Sequence, residues 1–537
     1  MSFPSREHAP ADPTDYPYST VTELIREKCT TNAENTLVIE EVTDRSFTYG
    51  EIDARSEEIG AALHGSGIGK EDIVGTLLPN SVDHLVVWFA VMKIGAVFAP
   101  LNTQFHRDDL AHALSAVQPD AMIVDSECLG NYLASEDTVE PISVEFVRDD
   151  VNTDADVVYP RLSNVSGSPD RCPQIEPRPG DPAIITFTGG STGLPKPVLH
   201  SYFSPLTGAY RYVNAFDASP EDRQLTTLQL YHGGGQQYTL GPMMADSSLV
   251  LVEKFSASDF FDQVNRYEAT IADIVGPMLG ALLRTHEDSV ENTLRYALGM
   301  LDYERHAEAQ RRFNLDLLKL YALTEGGGIL LTYRTFDAES EDPDTEGEIV
   351  GRPGDWGRIA ILDETGVKVP SGTVGEICLR PTIPHSMMEC YYESPETTVE
   401  TWDSLWIHTG DLGWMNEDGE LYYVGRQAHW LRRMGENISS QEVESVLNEH
   451  PAVVDSAVVG AENQEIGGED VRAFVKVGHE ISPTELVDWC RDRLAEFKLP
   501  RYVEFVDEFP RGRTKNQILR HELRERDVGD AWDRTEL

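Results

Sequence analysis

Lysine is scarce in this chain. Of 537 residues only ten are Lys, so 34 of the 44 basic residues are Arg, against 92 acidic residues and a formal net charge of −48. That balance excludes a protein whose whole surface courts nucleic acid or anionic lipid, and leaves room for a local phosphate site. The six Cys (Cys29, Cys128, Cys172, Cys378, Cys390, Cys490) are scattered without a C-x-x-C pair, which argues against a disulfide scaffold and against structural zinc. The opening stretch Met1 to Tyr18 is polar and Pro-rich, with no basic start and no apolar run, so it does not read as a signal peptide. No run of about 18 apolar residues is present, so no membrane span is expected. The sequence contains no internal repeat. The expectation is a soluble, cytoplasmic protein.

What is present is a chain able to build a core: 40% of it is hydrophobic, and its length predicts roughly three or four compact units. The acidic residues are dispersed, and the densest run, Asp337 to Glu348, is only loop-sized. A dispersed acidic surface with little Lys suits a cytoplasm of high salt, where screening shortens self-repulsion. The plainer alternative is an ordinary acidic enzyme from a low-Lys genome.

The first 150 residues alternate helical and strand patterns. Val21 to Lys28 and Ile52 to Ser66 read as amphipathic helices, Ile73 to Leu78 as a buried strand, Val82 to Met92 as a mostly apolar helix, and Gly95 to Pro100 opens another strand. Such alternation predicts an α/β fold of doubly wound layers. Residues 148–180, rich in Asp, Ser and Pro, read as a surface linker. Alternation resumes with Ala183 to Phe187, Ser248 to Val252, Phe260 to Tyr267 and Thr270 to Val275. From about 345 the runs become short and β-like (Gly357 to Leu362, Val374 to Leu379, Leu421 to Val424), which predicts a β-rich subdomain. Ser439 to Glu442 reads as a capping box opening a helix that ends before Pro451. The expected division is residues 1–426 as a large domain and 427–537 as a small α+β one.

Three segments carry chemistry. Thr188-Gly189-Gly190-Ser191-Thr192-Gly193-Leu194-Pro195-Lys196 follows a strand; its glycines let backbone approach a phosphate, its hydroxyls and amides can donate, and Lys196 adds a point charge. It is not a Walker A loop, because the G-x-x-x-x-G-K-[ST] spacing fails. Tyr321-Ala322-Leu323-Thr324-Glu325 combines an aromatic face, a hydroxyl and a hard carboxylate, the set a nucleotide–Mg²⁺ complex needs. Trp406-Ile407-His408-Thr409-Gly410-Asp411-Leu412-Gly413 is followed by Gly425-Arg426.

These segments resemble the signatures of the adenylate-forming superfamily, which holds acyl-CoA synthetases, nonribosomal peptide adenylation domains and beetle luciferases. Departures are Phe187 for Tyr, Gly189 for Ser, Pro197 for Gly and Ala322 for Gly. Weaker matches run from Phe47-Thr48-Tyr49-Gly50-Glu51 and Leu78-Pro79-Asn80 to Gly375-Glu376-Ile377 and Gly435-Glu436-Asn437. Arg433-Met434-Gly435-Glu436-Asn437 and Phe497-Lys498-Leu499-Pro500 look most like the branch of carnitine/crotonobetaine-CoA ligases. The resemblance implies a large adenylating domain and a mobile C-terminal lid. It also implies ATP, Mg²⁺ and CoA as reactants, a small-molecule carboxylic acid as substrate, no nucleic acid, and a dimer as in many relatives. By resemblance, Tyr321 stacks on adenine, Thr324 touches phosphate, Glu325 and Thr192 hold Mg²⁺, and Asp411 accepts from the ribose hydroxyls with help from Arg426.

His232 reads either as a lid over the acyl pocket or as a satisfied His at a strand end. Gly233, Gly234 and Gly235 leave space in an acyl pocket where Gln236 and Gln237 can hydrogen-bond, and Gly276 reads as a further wall or as core. The resemblance places a catalytic Lys near the C-terminus, yet counting from Pro510 puts Asn516 there, and counting back from His521 puts Gln517. The Lys nearby is Lys515. Ala428 stands where the superfamily has a charged hinge residue. The implied reaction is adenylation of a carboxylate followed by transfer to CoA; loading of a carrier protein, or nucleotide binding without turnover, are the alternatives.

Overall fold

The computed structural model describes the chain except residues 1–15, 106, 137–141, 143, 149–160, 166, 190–194, 300–302, 328–331, 338–344, 346–347, 355, 364, 427–429, 434–435, 464–467, 511–517, 519 and 537. Two large, mostly parallel sheets dominate. The eight-stranded sheet runs, edge to edge, Thr332–Thr335, Asp316–Tyr321, Tyr296–Leu298, Ile271–Asp273, Arg223–Thr226, Ser248–Leu251, Thr36–Glu40 and Arg45–Thr48. The seven-stranded sheet runs Met388–Tyr391, Pro195–Ser201, Pro182–Gly189, Val97–Pro100, Ile73–Leu77, Ala121–Asp125 and Val144–Arg148.

One core joins the two sheets through shared helices. Helix Val82–Ile94 shows why: it is apolar all round, so it must be covered on every side. Trp88, Phe89, Val87 and Val91 are all fully buried, with Leu249 and Leu251 of one sheet and Phe98 and Ile123 of the other in the same cluster. Ser81 caps its start by accepting from His84 N at 3.2 Å, and Gly95 ends it at φ 77°. The outer faces carry separate cores, with Phe260, Leu282 and Phe313 beyond the eight-stranded sheet and Leu110, Leu114 and Tyr132 beyond the seven-stranded one. Helices therefore cover both faces of each sheet, the doubly wound α/β class that alternation predicts.

The β-rich subdomain is a five-stranded antiparallel sheet of Glu348–Gly351, Leu421–Arg426, Ile407–Met415, Gly375–Pro381 and Gly357–Leu362. After it, Leu431, Val443, Leu447, Val471, Val475 and Leu486 form a core of their own beneath a four-stranded sheet.

Two sequence expectations change. The segment read as a surface linker is partly inside: Leu162, Val165 and Cys172 are buried in the main core, and Arg55 donates to the carbonyls of Leu162 (3.1 Å) and Val165 (3.0 Å). Its polar composition hid a few apolar anchors. Glu442, read as the far member of a capping box, gives its carboxylate to Lys498 instead. Scarce Lys is used inside. Four of the ten, Lys28, Lys93, Lys319 and Lys498, are buried, each against a carboxylate (Asp246, Asp53, Glu348, Glu442).

Candidate active site

Two paired strands flank the Gly-rich loop. Strands Pro182–Gly189 and Pro195–Ser201 pair antiparallel, with Thr188 opposite Lys196 and Gly189 opposite Pro195. Lys196 is thereby held opposite Thr188, at the start of the strand that follows the loop. Gly190, Ser191, Thr192 and Gly193 lie outside the described residues.

Strand Met388–Tyr391 pairs with the second of those strands and delivers Tyr391 to the site. Its hydroxyl donates to Glu325 Oε1 at 2.7 Å, and Lys196 Nζ lies 5.3 Å from its ring centroid. Burial first, and the Glu325 charge second, push the Tyr391 phenol well above its ordinary range, so it stays a donor. Glu325 sits in the single turn Thr324–Gly326, which packs close because Gly327 follows at φ 53°, where a Cβ would meet Ser204 Oγ at 2.6 Å. Among the described residues Glu325 Oε2 has no partner. A half-exposed carboxylate with one oxygen available fits a hard cation such as Mg²⁺.

Tyr321 ends the strand just before that turn. Its hydroxyl donates to Asp411 Oδ2 at 2.7 Å, and both residues are buried. Burial, then Asp411, raise the Tyr321 phenol. Asp411 stands opposite Arg426 in the pairing of Ile407–Met415 with Leu421–Arg426. The bend presenting Asp411 is braced. Glu376 Oε1 accepts from Gly410 N at 2.9 Å, Glu376 Oε2 lies 2.7 Å from His408 Nδ1, and Cys378 Sγ lies 3.6 Å from the same nitrogen. Thr409 Oγ1 donates to Ile377 O (2.6 Å) and accepts from Asp411 N (3.0 Å).

The loop leading to His232 is pinned from two sides. Asn80 donates to the carbonyls of Leu228 and Val252 and accepts from Leu230 N at 2.9 Å. Asp273 accepts from the backbone of Thr227 and Leu228, both at 3.0 Å. Burial pushes Asp273 up to about 6, against the pull of those hydrogen bonds. His232 is the residue that precedes helix Gly233–Met244, so it stands at the strand-side mouth of that helix. The three glycines differ in purpose. A Cβ on Gly233 would meet open space, one on Gly234 would meet Leu228 Cδ1 at 3.0 Å, and one on Gly235 would meet Gln229 O at 2.2 Å. Gly235 therefore serves close packing. Gln236 is buried and donates to Leu230 O at 3.2 Å, so its amide nitrogen braces the loop. Gly276 opens helix Gly276–Thr285, whose Met278 Sδ accepts from Thr227 Oγ1 at 3.5 Å, bringing that helix start to the same loop.

The structure thus brings Lys196, Thr324, Glu325, Tyr321 and Asp411 together through Tyr391 and the Tyr321 hydroxyl, with Arg426 opposite Asp411. Lys515 lies outside the described residues. Sequence reading missed Tyr391, Asp273 and the bracing roles of Asn80 and Glu376. Asn80 and Glu376 stand in segments that resemble the superfamily. Tyr391 and Asp273 carry no local signal, because their partners are distant in the chain, 66 residues for Tyr391 and 45 and 46 for Asp273.

The profile of the AMP-binding enzyme family matches residues 25–392, and that of the AMP-binding enzyme C-terminal domain matches residues 442–516. The crotonobetaine/carnitine–CoA ligase of Proteus mirabilis is 30% identical over 502 residues, covering 89% of this chain and 93% of the relative. A double mutant of the o-succinylbenzoate CoA synthetase of Bacillus subtilis, bound to its product analogue OSB-NCoA, superposes with a TM-score of 0.82 at 25% identity, over 94% of this chain and 98% of that one. The same synthetase in complex with AMP superposes at 0.66, with 24% identity and the same coverage. The chain belongs to the AMP-binding enzyme family of the adenylate-forming superfamily. Within it, the chain is an AMP-forming acyl-CoA synthetase.

Proposed function

We propose that the enzyme activates a small carboxylic acid with MgATP and passes the acyl group to CoA, with the residues assembled above in the following roles. The acid's carboxylate oxygen attacks the α-phosphate, and pyrophosphate leaves with its electron pair. Lys196 and the amides of the Gly-rich loop neutralise the charge that spreads over the phosphates. Tyr321 offers its face to adenine and Thr324 its hydroxyl to phosphate. Asp411, oriented by Tyr321 and backed by Arg426, receives the ribose hydroxyls. Glu325 and Thr192 are the residues that would hold Mg²⁺, which supplies charge neutralisation. Lys515 serves the adenylation half-reaction from the C-terminal domain. The CoA sulfur then attacks the acyl carbonyl and AMP departs. His232, Gly233, Gly234, Gln236 and Gly276 line or brace the acyl side.

The observation that carries this reading is the pair of tyrosine links, Tyr391 to Glu325 and Tyr321 to Asp411, which joins side chains from separate sheets. The local cationic and amide groups also explain how a chain of charge −48 receives anionic reactants. Its acidity reflects a salty cytoplasm rather than the substrate. The relative from Proteus mirabilis makes betaine-type acids the first to try, beside short-chain fatty acids. The test is pyrophosphate release from MgATP and CoA over such a panel. Acid-dependent pyrophosphate with CoA consumption is expected. Pyrophosphate without CoA consumption would point to carrier loading, and silence with ATP still bound would point to a nucleotide-binding relative.

A further inference from the structure

The boundary between the large domain and the C-terminal one carries a buried ionic contact that the chemistry above does not use. Lys498, in the turn Glu496–Lys498, reaches Glu442 of its own domain and lies 3.4 Å from Asp109 Oδ1 on helix Arg107–Val117 of the large domain. Relative exposures are 5%, 6% and 2% for Lys498, Glu442 and Asp109. Charges this deep are costly unless paired. The Lys498–Glu442 pair travels with the C-terminal domain wherever it goes; Asp109 Oδ1 faces the Lys498 ammonium only in the arrangement seen here, and the buried Oδ2 has no hydrogen-bond partner among the described residues. In that arrangement strand Glu436–Ser439 lies against strand Pro182–Gly189, and the superposition is better on the CoA-product-analogue complex than on the AMP complex of the same synthetase.

We propose that Asp109 is a positioning residue for the second half-reaction, seating the C-terminal domain for thioester formation by receiving Lys498 across the domain boundary. This rests on the two-step reading given above. Burial works against the Lys498 charge, but Glu442 and Asp109 outweigh it and hold the ammonium above its ordinary range. Burial pushes the Glu442 carboxyl up to about 8; Lys498 opposes that rise and Asp109 adds to it.

The test separates the half-reactions. Asp109→Asn keeps the volume and removes the charge; it is expected to slow transfer from supplied acyl-adenylate to CoA by about ten-fold or more, with ATP–pyrophosphate exchange within about two-fold of wild type. Equal loss in both halves, or no loss in either, would overturn the proposal. A second measurement needs neither variant nor substrate acid. In the wild-type enzyme, amide exchange over Arg107–Val117 and Glu496–Lys498 is expected to be slower with AMP plus CoA than with MgATP. Identical exchange in the two conditions would overturn the proposal even if no acid in the panel were turned over, and slower exchange would uphold the seating whatever the panel gave.

Discussion

The Tyr391 hydroxyl donates to Glu325 Oε1 at 2.7 Å while its ring faces Lys196 Nζ at 5.3 Å. One side chain therefore orients the carboxylate that would hold Mg²⁺ and lies under the ammonium that would face phosphate. Tyr391→Phe keeps the ring under Lys196 and removes the donor. A hydrogen bond to a charged group is worth about 1.5–3 kcal/mol, so the Mg²⁺ concentration for half-maximal activity should rise about ten-fold or more. Thermal stability should change little by comparison. An unchanged Mg²⁺ titration would remove Tyr391 from the site.

Lys515 is the lysine nearest the position where the superfamily places its C-terminal catalytic lysine. Lys515→Ala should slow the first half-reaction by about a hundred-fold or more, the scale of losing a preorganised charge at a transition state. Thioester formation from supplied acyl-adenylate should be spared. An unaffected first half-reaction would show that the chain adenylates without this lysine.

Acid should destabilise the fold in a defined window. Burial pushes His84 down to about 3 and His200 down to about 4, from an ordinary 6.5. Between those values and 6.5 the unfolded chain binds more protons than the native one. Their stabilising contribution is therefore complete above pH 6.5 and falls on acidification, by up to about 1.4 kcal/mol per group per pH unit. Asp273, raised to about 6 from 3.8, and Glu442, raised to about 8 from 4.5, oppose that fall within their own windows. The histidine contribution is read by difference: His200→Asn, which replaces the ring that lies beside Ser204 Oγ, should gain urea midpoint relative to wild type as the pH falls from 7 to 5. A difference between variant and wild type that does not change with pH would refute the assignment.

Salt should help both activity and stability. From about 0.1 M to about 1 M the Debye length falls from about 10 Å to about 3 Å, which screens the self-repulsion of a −48 chain far more than the buried Lys pairs. kcat/KM and Tm should both rise toward molar KCl. Best performance in dilute buffer would count against adaptation to a salty cytoplasm.

Much of this was legible before any coordinates. Periodicity marked helix Val82–Ile94 and strand Ile73–Leu77 within two residues of their ends. The segments that hold Tyr321, Thr324, Glu325 and Asp411 were legible because their short motifs resemble the superfamily's signatures, and the family matches over residues 25–392. The buried anchors Leu162, Val165 and Cys172 were not, since three apolar residues in a polar stretch have no period.

Residue type and short-range spacing, then, determined the layered α/β architecture and the family to which the chain belongs, because backbone preference and burial act over a few residues. Only the tertiary structure decided which motifs meet. Tyr391 reaches Glu325 across 66 residues, Tyr321 reaches Asp411 across 90, and Lys498 reaches Asp109 across 389. Such contacts depend on how sheets and domains stack, and a hydrogen bond or buried ion pair leaves no period in the chain to announce its partner.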